Sequence, residues 1–103
     1  MPKTLPKLVR DRIPEVLKAK GLDPMYHQAE ECRRVPLLID KLEEEIAELK
    51  AAKTEGERYE EMADILEVAA ALQASFDRET LGQVRLLKAV ERGGFEKLIV
   101  LVD

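Results

Sequence analysis

The sequence predicts a small all-α protein, a four-helix bundle in a single domain covering residues 1–103. Two observations carry this. The chain is rich in Ala, Leu, Glu and Lys, which are strong helix formers, with 46% hydrophobic and 37% charged residues. Its central apolar residues recur at helical spacing, and the stretches they form are bounded by residues that start and stop helices. A length of 103 residues fits one modest core, and chains this short often gain stability by oligomerising.

The elements follow in order. Residues 1–10 read as an extended basic arm punctuated by Pro2 and Pro6. Residues 1–12 contain Lys3, Lys7, Arg10 and Arg12 against one acid, Asp11. A first helix is expected from Asp11 to Lys20, with Pro14 near its first turn and Gly21 as its stop. Asp23-Pro24 marks a turn, and Met25 to Ala29 reads as a short strand. A second helix is expected from Val35 or Pro36 to Lys53, because Pro suits a first helical position. Thr54 and Glu57 form a capping-box pattern that opens a third helix running to Phe76. Asp77 caps a fourth helix ending at Arg92, with Gly93-Gly94 beyond it. Phe95 to Val102, rich in β-formers, reads as a short C-terminal strand that could pair with residues 25–29.

Charge and cysteine usage narrow the function classes. A net charge of −4 and a pI near 5.1 argue against a nucleic-acid polymer as partner. The longest uncharged apolar stretch, Val68 to Leu72, is too short to span a membrane. The first six residues lack the apolar run of a signal peptide. The single Cys32 excludes an internal disulfide and fits a reducing, cytoplasmic setting.

The second helix carries the first chemical signal. At about 100° per residue, Leu38, Leu42, Leu49 and Ala52 fall within an arc of roughly 80°. Glu45 lies inside that arc, and Glu44 and Glu48 sit on its flank. A carboxylate on a core face costs several kcal/mol unless it is paired, hydrogen-bonded or metal-bound. The third helix repeats the anomaly. Met62 to Leu72 is apolar nearly all round, and such a helix is normally buried on every side. Glu61, Asp64, Val68 and Ala71 share one stripe of it. Two helices thus each place an acidic i, i+3 pair on a buried or half-buried face. Packed antiparallel, Glu45 and Glu48 would converge with Glu61 and Asp64. Carboxylates so crowded need a counter-charge. Oxygen-only ligation suits Mg²⁺, with Mn²⁺ as a substitute, and Mg²⁺ points to a phosphorylated substrate. Solvated helix faces with ordinary ion pairs, of the Lys41–Glu44 kind, are the competing explanation.

The same residues carry a family resemblance. Glu44-Glu45-Ile46-Ala47-Glu48 and Glu61-Met62-Ala63-Asp64 read as EExxE followed by ExxD, with residues 49–60 between them. Lys7-Leu8-Val9-Arg10-Asp11-Arg12-Ile13-Pro14 and Glu91-Arg92-Gly93-Gly94-Phe95-Glu96-Lys97 flank them. The set resembles the MazG-like all-α nucleoside triphosphate pyrophosphohydrolases, and the flanking strings resemble their small phosphoribosyl-ATP pyrophosphohydrolase-like branch. The resemblance implies Mg²⁺-dependent cleavage between the α- and β-phosphates of a nucleotide, giving monophosphate and pyrophosphate. It implies Glu45, Glu48, Glu61 and Asp64 as metal ligands and Glu44 as the group that orients or deprotonates the water. It also implies a homodimer at least, with a homotetramer open. Alternatives are a non-catalytic nucleotide-sensing or dimerisation module, and phosphoribosyl-ATP hydrolysis.

The remaining polar residues admit two readings each. Lys7, Arg10 and Arg12 fit contacts to phosphate or a solvated arm paired with the acidic helices. Arg92 and Lys97 fit closure over a phosphate or a helix C-terminus complementing its dipole. His27 reads as a surface or packing residue and Cys32 as structural, while Glu67 could extend the metal shell or cap the pocket, or form a salt bridge near the acids.

Overall fold

In a computed structural model, described for residues 6–103, four α-helices follow one another and no strand forms among the described residues. Residues 1–5, including Lys3 of the basic arm, lie outside the described residues. Helix α1 spans Ile13–Ala19, α2 Arg34–Ala51, α3 Glu55–Gln73 and α4 Arg78–Arg92. A short 3₁₀ turn, Glu31–Arg33, leads into α2.

The helix ends obey local chemistry. Thr54 Oγ1 accepts from the Glu57 N–H at 3.1 Å, and the Glu57 carboxylate accepts from the Lys53 N–H at 3.0 Å. This is the capping box displaced by one residue on its return arm. Asp77 accepts from both the N–H and the hydroxyl of Thr80. At the far end of α4, Gly93 stands at φ +79°, which a side chain would resist. Pro36 sits in the first turn of α2, where its missing N–H interrupts nothing.

Three residues, 52–54, join α2 to α3, so the two helices return antiparallel as a hairpin. The main helix–helix packing is between these two. The core lies on that seam and is small. Leu38 on α2 and Val68 on α3 are buried, and Glu45 lies beside them at 2% exposure. Both belong to the arcs the periodicity assigned to the interior.

Three expectations need correction. Met25–Ala29 and Phe95–Val102 are not strands. Leu98 takes φ +50°, which breaks any regular extended run, and Phe95 and Leu98 to Val102 are exposed. β-propensity reflects packing against neighbours on a sheet, and neither segment has any here. Helix α3 is not buried all round in one chain either. Its Glu61–Asp64–Val68–Ala71 stripe faces α2, whereas Tyr59, Met62 and Leu66 face outward. Helix α4 has no buried residue, so the four helices do not close a bundle within one chain. The radius of gyration is 17.4 Å, against roughly 13 Å for a compact domain of this length.

Candidate metal centre

The α2–α3 hairpin brings acids from both helices to one point. One carboxylate oxygen each from Glu45, Glu61 and Asp64 can be chosen so that all three lie within 4.8 Å of one another. Glu48 adjoins the cluster through Glu61, whose carboxyl feels both Glu48 and Glu45. Glu44 stands on the same side of α2, half-buried. The hairpin thus collects all five acids that spacing singled out.

The electrostatics follow from that crowding. Burial, and then contact with Glu48 and Glu45, pushes the Glu61 carboxyl up to about 7 from an ordinary value of 4.5. Glu61 Oε2 is shielded from solvent and has no hydrogen-bond partner among the described residues. An all-carboxylate donor set with one such oxygen fits a hard divalent cation. Glu45, Glu61 and Asp64 could hold it, with Glu48 at the margin.

Two basic groups answer the acids. Lys41 Nζ lies 3.1 Å from Glu44 and 3.3 Å from Glu45, with its own side chain only 13% exposed. Arg10 Nη2, from the N-terminal arm, donates to Asp64 Oδ1 at 2.7 Å. That hydrogen bond raises the guanidinium pKa further, helped by the charges of Asp64, Glu67 and Glu45. Glu67 is therefore a charge partner near the acids. Lys41 is the residue that sequence reasoning passed over as half of an ordinary surface pair. Its signal lay in the apolar neighbours Leu38 and Leu42, which place it at the core margin.

An open groove of about 640 Å³ runs alongside. Glu44, Glu48 and Glu61 line its acidic end, Lys7 and Lys41 supply positive charge, and Leu8, Leu37, Ala47 and Ala51 make an apolar wall. Its volume is within the range of small-ligand sites, roughly 300–1,000 Å³. Lys7 lines this groove, and Arg10 reaches the acids themselves. Arg12 instead pairs with Glu15 on α1 at 3.3 Å. Arg92 and Lys97 are exposed and do not line this groove. Arg92 ends α4 and Lys97 lies in the segment beyond it, and α4 has no buried residue that would pack it on the hairpin core. His27 is exposed. Cys32, read as structural, is a free, exposed thiol 3.9 Å from Glu30.

No helix among the described residues is long and apolar enough to cross a membrane. Comparison with known proteins leaves the chain without a named family. No family model matches it, and no solved structure matches it. An uncharacterised protein of Mycolicibacterium smegmatis (strain ATCC 700084 / mc(2)155) is 46% identical over 48 residues, covering 47% of this chain and 49% of that protein. The match thus spans about half the length of the curated relative.

Proposed function

We propose that the chain is a Mg²⁺-dependent nucleotide pyrophosphohydrolase of the MazG-like type, cleaving the α–β phosphate bond of a nucleoside triphosphate or related nucleotide. The observation that carries the reading is the convergence of Glu45, Glu61 and Asp64 within 4.8 Å, beside a groove with lysines and an apolar wall. The resemblance of the EExxE and ExxD strings supplies the step from cation site to pyrophosphate release.

The roles follow from position. Glu45, Glu48, Glu61 and Asp64 hold the cation, which when bound supplies Lewis-acid polarisation of phosphoryl oxygens and lowers the pKa of water. Glu44 orients the attacking water and accepts its proton. Lys41, bridging Glu44 and Glu45, fixes the orientation of both. Lys7 and Arg10 neutralise phosphate charge, and the apolar wall takes the nucleoside. A housecleaning role on non-standard nucleotides fits a groove whose described lining carries no aromatic side chain to select one base. Arg92 and Lys97 belong to the site only if a second copy delivers them, in keeping with a homodimer or homotetramer. The free Cys32 suits the cytoplasm.

A panel of canonical, deoxy- and damaged nucleotides, with phosphoribosyl-ATP included, tests the reading. Pyrophosphate release that requires Mg²⁺ or Mn²⁺ is the expected result. Nucleotide binding without turnover would replace it with a sensing module, and orthophosphate as the sole product would overturn the bond assignment.

A further inference from the structure

Resting on that reading of the acids, we propose that Arg10 is a resident counter-ion of the metal centre, which the cation must displace from Asp64 to bind. The N-terminal arm crosses the α2–α3 hairpin at this point. Arg10 Nη2 sits 2.7 Å from Asp64 Oδ1, and Asp64 is one of the three acids whose oxygens converge. Lys7 and Leu8 of the same arm line the adjoining groove. A guanidinium at that distance satisfies one carboxylate of the set while the metal is absent. It also opposes a dication arriving within a few ångströms, by a like-charge repulsion that the surrounding water weakens. The pair is half-open to water, with side-chain exposures of 54% for Arg10 and 37% for Asp64. Its strength is therefore modest, and a dication with several carboxylate ligands displaces it. Released from Asp64, the guanidinium remains beside the groove, where a fork of donors suits a phosphate. Metal binding and phosphate binding are then coupled through one side chain.

The sign of one measurement separates this role from simple orientation of Asp64. Mn²⁺ binding to the full chain is measured by calorimetry, without nucleotide, for the wild type and for Arg10→Gln, Arg10→Lys and Arg12→Gln. The expected result is Mn²⁺ binding about two- to five-fold tighter in R10Q, the range set by a half-exposed ion pair. R10K, which keeps the charge, falls between R10Q and the wild type. R12Q, whose cation pairs with Glu15 instead, leaves the affinity unchanged. Equal or weaker Mn²⁺ binding by R10Q, beside a wild type that binds, overturns the displacement role and leaves the metal centre standing. Equal tightening by R12Q would assign the effect to net charge and also overturn it. No Mn²⁺ binding by any of the four chains overturns the centre and the displacement together.

Discussion

At the scale of single residues, Glu45 and Asp64 are the most demanding positions. Glu45 is a carboxylate at 2% exposure, answered by the Lys41 ammonium at 3.3 Å. Asp64 takes Arg10 on one oxygen and joins the cluster. Alanine at either position removes a ligand outright. Loss of a supporting group around a metal typically costs about 10–100-fold, so each variant should lose at least about 100-fold in metal-dependent pyrophosphate release. Steady-state assays across a Mg²⁺ titration check this, and wild-type activity in either variant would remove the site from these residues. Glu61 yields a second prediction. Its carboxyl stands at about 7 in the folded chain against 4.5 ordinarily, so the native state binds that proton more tightly than the unfolded one. The resulting stabilisation is complete below about pH 4.5 and is lost as pH rises through about 7. The metal-free melting temperature should fall across that window. Saturating Mg²⁺ should reverse the slope, because the cation competes with the proton for the same oxygens. Asp77, held low by Thr80, acts only below this window. Thermal melts in chelator and in Mg²⁺ read both slopes, and Glu61→Gln should flatten the first.

At the scale of elements, the helices were legible because each carries its own punctuation. Thr54, Asp77 and Gly93 act through bonds or backbone angles within a few residues, so their effects need no knowledge of the fold. The interior stripe of α2 was legible for a related reason, since periodicity alone put Glu45 among Leu38, Leu42 and Leu49. The C-terminal strand was not, because Ile99, Val100 and Val102 become a strand only beside another. Lys41 was missed because sequence spacing cannot distinguish a solvated i, i+3 pair from one at 13% exposure. The caps make a prediction at this scale. Thr54→Ala removes the acceptor of the Glu57 N–H and should cost about 1 kcal/mol. In a domain of this size that lowers the melting temperature by roughly 4–8 °C. The three-residue turn also sets how α3 enters the metal centre, so Mn²⁺ affinity should weaken in the same variant. A melt identical to wild type would show that the hairpin is fixed by its seam alone.

At the scale of the whole molecule, the exposed area is out of proportion to the mass. The chain shows 9645 Å² to solvent, whereas a folded monomer of 11.7 kDa is expected to show about 5,900 Å². The excess, roughly 3,700 Å², exceeds what one chain contributes to a typical obligate homodimer interface, about 1,000–2,500 Å². Its apolar part is concentrated on the outer face of α3 at Met62 and Leu66, on α4 at Leu86, Leu87 and Val90, and on the tail from Leu98 to Val102. Apolar surface on this scale is rarely left open. A second copy offers the same faces, and self-association on two of them would complete the bundle that one chain leaves open. Light scattering on the eluting protein, at a concentration high enough to hold an oligomer together, should therefore give a mass of at least two chains. Leu87→Glu combined with Val90→Glu places two charges on the exposed face of α4, and should lower both that mass and the melting temperature. A wild-type chain that elutes as a stable monomer would show instead that α4 and the tail are covered by something other than a copy of themselves. It would also leave Arg92 and Lys97 with no route to the metal centre, because within one chain neither the end of α4 nor the segment after it lines the groove.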